Sequence, residues 1–111
     1  MKNYSMHLHP EPFQKVRSGA KHIEVRLNDA KRKLLKVGNT ITFTNRENGE
    51  VLEVVITLLI VFPTLSEFLV SNSSEVCGYE TPDKLKTEFL KYYTPAQEIE
   101  HGIVGIKFKV L

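Results

Sequence analysis

The sequence predicts an α+β fold, a small β-barrel of about five or six strands with short helices at its periphery. Three observations carry that expectation. Apolar and polar residues alternate with period two near both ends, in Tyr4, Met6, Leu8 and again in Val104, Ile106, Phe108, Val110. A continuous Val, Leu and Ile run fills residues 51–62, and threonines mark three helix starts after Pro63.

Residues 3–8 read as the first strand, with Ser5, His7 and His9 on the face opposite Tyr4, Met6 and Leu8. Pro10 and Pro12 open a short helix through Phe13, Val16 and Arg17, which Gly19 closes from a C′ position. A second strand follows over 21–28, where Ile23, Val25 and Leu27 alternate with His22, Glu24, Arg26 and Asn28. Asn28 or Asp29 can cap a brief basic helix over 30–35, in which Lys31, Arg32, Lys33 and Lys36 repel one another without an anionic partner. Gly38-Asn39 is a turn before a third strand, Thr40 to Thr44, and Asn48-Gly49 signals a hairpin. The fourth strand, Val51 to Phe62, is apolar enough to imply burial on both faces or a bent barrel wall.

The C-terminal half is helical by its start signals. Thr64 with Glu67, Thr81 before Pro82, and Thr94 before Pro95 with Gln97 are N-cap patterns, and Leu85, Phe89 and Tyr92 share one helical face. Gly102 ends the last helix, and residues 103–110 form the closing strand.

With 111 residues, 41% apolar and 25% charged, the chain reads as a single domain able to bury a core unaided. One cysteine, Cys77, excludes an intrachain disulfide framework and thiol-rich zinc sites and points to a cytoplasmic protein. No signal-peptide pattern or membrane-length apolar stretch is present, so no membrane partner is expected. The net charge of +2 hides an asymmetry: residues 1–38 hold nine basic and three acidic side chains, whereas the rest hold six and ten. The basic part can attract phosphate, or simply solvate a surface.

The second strand concentrates the chemistry. Glu24 and Arg26 project from one face roughly 6.5 to 7 Å apart, although a plain solvent-facing strand shows the same alternation. Lys21 can hold a phosphate or act as a base, and Arg26 offers a planar fork for a phosphate or for stacking on a base. Glu24 can accept from the amino edge of cytosine or adenine, or serve as counter-ion to Lys21 and Arg26. Asn28, Lys31 and Arg32 form a second anion candidate at a helix start, with Asp29 better suited to capping. His7 can border a cleft, and either Tyr92 or Tyr93 can reach it to stack on a base. His7 and His9 have no third ligand in a recognisable pattern, so no metal and no other cofactor is expected. Cys77 lacks a nucleophile motif and reads as a small buried hydrophobe.

Pro12-Phe13, Gly19-x-Lys21-x-x-Glu24-x-Arg26, Val37-Gly38-Asn39 before Ile41 and Phe43, and the closing Gly102-Ile103-Val104-Gly105-Ile106-Lys107-Phe108 occur in that order over nearly the whole chain. In these residues the chain resembles an ASCH domain, whose fold is similar to the PUA domain of RNA-modifying proteins. The resemblance implies a PUA-like β-barrel with a cleft lined by the signature strand, and RNA or a nucleotide as partner. It also implies an alternative, a small amidohydrolase acting on a modified nucleoside such as an acylated cytidine, which relies on a lysine, a threonine nucleophile and a glutamate. Lys21 matches the lysine, Glu24 occupies the threonine position, and Glu75 and Glu80 are both candidates for the third group. The expected assembly is a monomer.

Overall fold

The structure, a computed structural model, describes residues 2–111. Across them a five-stranded sheet curls into a half-barrel with four short α-helices around it. The strands are β1 (Asn3–Leu8), β2 (Ile23–Leu27), β3 (Thr40–Asn45), β4 (Val51–Phe62) and β5 (Ile103–Val110), in spatial order β1-β3-β4-β5-β2. β1 runs parallel to β3, and the other neighbours are antiparallel. β1 and β2 are therefore the two edges, and curling brings them together along a seam where the Arg26 Nη2 donates to the His7 carbonyl at 3.3 Å. A β-bulge between Ile56 and Leu58 bends the long β4 against β5.

The helices start and stop where the local chemistry requires. α1 (Pro10–Ser18) has proline in its first turn and ends at Gly19, whose φ of 87° is the left-handed conformation glycine tolerates. The hydroxyls of Thr64, Thr81 and Thr94 cap α2 (Leu65–Ser71), α3 (Pro82–Leu90) and α4 (Pro95–His101), and the Gln97 side chain completes a capping box on α4. The basic segment after β2 makes only a single 3-10 turn, Arg32–Leu34, rather than a helix over 30–35. Asp29 relieves the expected repulsion there by accepting from both the Arg32 backbone and its guanidinium.

Two apolar clusters sit on opposite faces of the sheet. Met6, Phe13, Val16, Ile41, Phe43, Ile56, Val104, Ile106 and Phe108 fill the concave side, and Ile23, Leu27, Leu65, Phe68, Leu85, Phe89 and Ile103 pack the convex side beneath α2 and α3. β5 contributes to both, which is why its start reads Ile-Val-Gly-Ile with no polar residue. A Cβ at Gly105 would stand 2.7 Å from Phe68 Cε1, so glycine lets that ring lie against the strand. The expected burial of β4 on both faces holds only in part: Val51, Leu58 and Val61 are exposed, because no element covers them. Val110 is likewise exposed at the end of β5.

Candidate functional site

The polar face of β2 points into the half-barrel rather than to solvent. Glu24 pairs across the ladder with Ile106 and Arg26 with Val104, and directly opposed residues share a face. Because Ile106 and Val104 belong to the concave core, Glu24 and Arg26 project there too, while Ile23 and Leu27 face the helices. Alternation at β2 thus separates two buried environments, which explains why a charged strand is mostly hidden.

Lys21 and Glu24 are 2% and 7% exposed and form the centre of an ion array. The Lys21 ammonium donates to the Cys77 carbonyl at 2.5 Å and the Ile23 carbonyl at 3.1 Å, and lies 2.9 Å from Glu24 Oε1. These three acceptors match its three N–H donors. Glu24 Oε2 accepts from Arg26 Nε at 2.6 Å. Burial alone would raise the Glu24 pKa, but Lys21 and then Arg26 override it and hold the carboxyl down at about 2. Burial likewise opposes the Arg26 charge, and Glu24, with Tyr93 beside it, more than restores it, raising the pKa.

Local folding fixes the array. The backbone N–H of Lys21 donates to Lys15 on α1, and that of His22 to Val76. The turn after Cys77 is made by Gly78 at φ 94°, whose carbonyl also takes the Lys15 ammonium at 2.7 Å. A Cβ at Gly78 would come within 3.1 Å of Lys21 Cδ, so the turn packs directly on the lysine stem.

A cavity of about 120 Å³ opens along the seam between β1 and β2. Lys21, Glu24, Val25 and Arg26 form one wall, His7, Leu8 and Pro12 the other, and Tyr79, Phe89, Tyr92 and Tyr93 an aromatic side. Of the residues singled out in the sequence, Lys21, Glu24, Arg26, His7 and Tyr93 meet here. Asn28, Lys31 and Arg32 do not: Asn28 follows β2 with its N–H bonded to Gly102, Lys31 is exposed, and Arg32 is paired with Asp29. Glu75 and Glu80 are also absent from the lining; Glu80 is exposed and paired with Lys84, and the carboxylate that joins Glu24 at the cavity is Glu88, itself paired with Lys91. Sequence reasoning passed over Arg46, Tyr79 and Glu88. Arg46 sits just past β3, where its N–H bonds to Leu8, so its place at the cavity depends on the β1–β3 pairing.

Among the described lining residues no serine or threonine hydroxyl is present. Burial pushes the Cys77 thiol up to about 11, which keeps it protonated and unreactive near neutrality. The Tyr79 phenol is also raised by burial. Chemically the cavity offers cationic and phenolic donors, an aromatic surface and an ion array of two cations around one carboxylate: equipment for holding a planar polar group.

A second, roomier groove continues past Pro12, Tyr79 and Glu88 between α1 and α3. Three of its carboxylates are paired, Glu11 with Lys15, Glu80 with Lys84 and Glu88 with Lys91, and Asp83 adds a fourth. Among the described residues no helix is long and apolar enough to cross a membrane.

The family model for the ASCH domain matches residues 6–111. The crystal structure of hypothetical protein PH0355 superposes with a TM-score of 0.86 at 27% identity, covering 98% of this chain and 99% of that one. The solution structure of protein PF0455 from Pyrococcus furiosus gives 0.78 at 27% identity, covering 98% and 97%. The ASCH domain from Lactobacillus crispatus JV V101, at 14% identity and a TM-score of 0.68 over 98% of this chain and 79% of its own, shares the fold. No curated protein matches in sequence.

Proposed function

The chain belongs to the ASCH domain family, and on that premise we propose that it is an RNA-binding domain that seats one unpaired base in the cavity between β1 and β2. The observation that carries the reading is the combination at that cavity of an aromatic side, Tyr79, Phe89, Tyr92 and Tyr93, with the guanidinium groups of Arg26 and Arg46. Unstacked bases are held by aromatic rings and arginine planes, and a cavity of about 120 Å³ has room for one base. In this reading Lys21 and Glu24 are positioning residues: Lys21 fixes Glu24, and Glu24 orients Arg26. Backbone phosphates meet Arg46 at the rim, and the exposed lysines 31, 33 and 36 add contacts outside the cavity that are insensitive to sequence. The single buried Cys77 supports a reducing, cytoplasmic setting.

The amidohydrolase alternative finds less support. Glu24 stands at the threonine position and is engaged on both oxygens, and the ammonium of Lys21 is spent on three acceptors.

Fluorescence anisotropy with short single-stranded RNA across a salt series tests the proposal. Affinity is expected to fall steeply with salt, and Tyr92→Ala and Arg46→Ala to weaken binding about tenfold each. Tyr92 is 53% exposed, so its truncation leaves the fold intact. No measurable binding at low salt overturns the reading.

A further inference from the structure

We infer that the base seated at the seam is uracil, read by the main-chain N–H and C=O of Val25 together with the free guanidinium donor of Arg26. This inference rests on the RNA-binding reading and goes beyond it by naming the base and the groups that select it.

The ladder register assigns the main-chain groups. Phe108 donates to the His22 carbonyl and Asn28 to the Gly102 carbonyl, so the hydrogen-bonded partners of β5 are the even-numbered residues of β2. Ile23, Val25 and Leu27 therefore turn their N–H and C=O groups away from β5, toward the seam. The Ile23 carbonyl is taken by Lys21. Among the described residues β2 has no strand paired with it on that side, and Val25 lines the cavity. On the opposite edge, Arg46 donates to the Leu8 carbonyl and Thr40 to that of Lys2, so even residues of β1 face β3 and His7 faces the seam. The His7 carbonyl is taken by Arg26 Nη2, and Arg26 Nε is taken by Glu24. The five guanidinium N–H groups of Arg26 outnumber its three acceptors, Glu24, the His7 carbonyl and the Tyr93 hydroxyl, so a donor remains.

An unpaired strand edge invites a partner with the complementary pattern. An added peptide strand is blocked, because Arg26 already bridges β2 to β1 across the gap. A planar heterocycle fits where the missing rung would lie. Val25 N–H requires an acceptor, Val25 C=O a donor, and Arg26 a second acceptor. Uracil presents O4, N3–H and O2 in that order. Cytosine offers a donor and two acceptors, adenine a donor and one acceptor, and guanine an acceptor followed by two donors. Each mismatches at least one group.

The test compares short homopolymers of uridine, cytidine, adenosine and N3-methyluridine by fluorescence anisotropy at low salt. Methylation removes the donor that Val25 C=O needs and leaves the protein untouched. Uridine is expected to bind at least about tenfold tighter than the other three. Val25→Pro deletes the seam-facing N–H, which makes no ladder bond, at the cost of some packing on the convex side, and in folded protein should lower uridine affinity to that of cytidine. Should this variant not fold, the N3-methyluridine arm decides alone. Equal affinity for all four, or a preference for another base, overturns the uracil inference and leaves RNA binding standing. Absence of binding to every homopolymer overturns both.

Discussion

Replacing Glu24 by glutamine removes the charge at the centre of the buried array while keeping its shape, leaving Lys21 and Arg26 without a counter-ion. The carboxyl is held down from 4.5 to about 2 in the folded protein. At about 1.4 kcal/mol per tenfold change in proton affinity, that depression contributes about 3 kcal/mol of stability, in line with the roughly 3–5 kcal/mol lost when a buried pair loses one member. For a chain of 111 residues, about 3 kcal/mol lowers the melting temperature by about 13 °C. Because the folded-state pKa lies below the unfolded one, the contribution is present in full above pH 4.5 and disappears as pH falls toward about 2. Urea unfolding of wild type and Glu24→Gln, followed by circular dichroism at a series of pH values, measures the difference. It should be about 3 kcal/mol at pH 7 and shrink below pH 4.5. A difference under about 1 kcal/mol at pH 7, or one that does not change on acidification, would refute the account of Glu24 as the keystone of the array.

Gly78→Ala places a side chain at φ 94° and within 3.1 Å of Lys21 Cδ; it should cost about 1–2 kcal/mol in the same assay. It should also weaken RNA binding, because the turn positions Lys21. Cys77 is fully buried and its thiol is pushed up to about 11, so an aromatic disulfide reagent should label it slowly in native protein and rapidly in urea. Fast native labelling would contradict the burial.

The elements were legible where local chemistry decides them. β1 at Asn3–Leu8, β5 at Ile103–Val110, the proline at the start of α1 and the three threonine caps all follow from signals within a few residues of one another. The Gly-x-Lys-x-x-Glu-x-Arg signature drew attention to the residues that meet in the cavity. The direction they face was not legible. Alternation in β2 shows two faces but not which environment each meets, and only the pairing with β5 shows that the polar face turns inward. The burial of Lys21 depends on a carbonyl 56 residues away, and the seam exists because curling apposes two strands distant in sequence. Arg46 and Glu88 reach the cavity through those same tertiary contacts, with no local motif to mark them. The basic run at residues 31–36 was conspicuous in sequence yet lies outside the cavity lining, since charge density alone does not encode direction.

Two-dimensional NMR of isotope-labelled protein, titrated with a short uridine RNA, locates the ligand residue by residue. The amide of Val25, the side-chain N–H groups of Arg26 and Arg46, and the neighbours Tyr92 and Tyr93 should shift together and saturate at one affinity. Shifts confined to Lys31, Lys33 and Lys36, with the β1–β2 seam silent, would contradict base seating in the cavity.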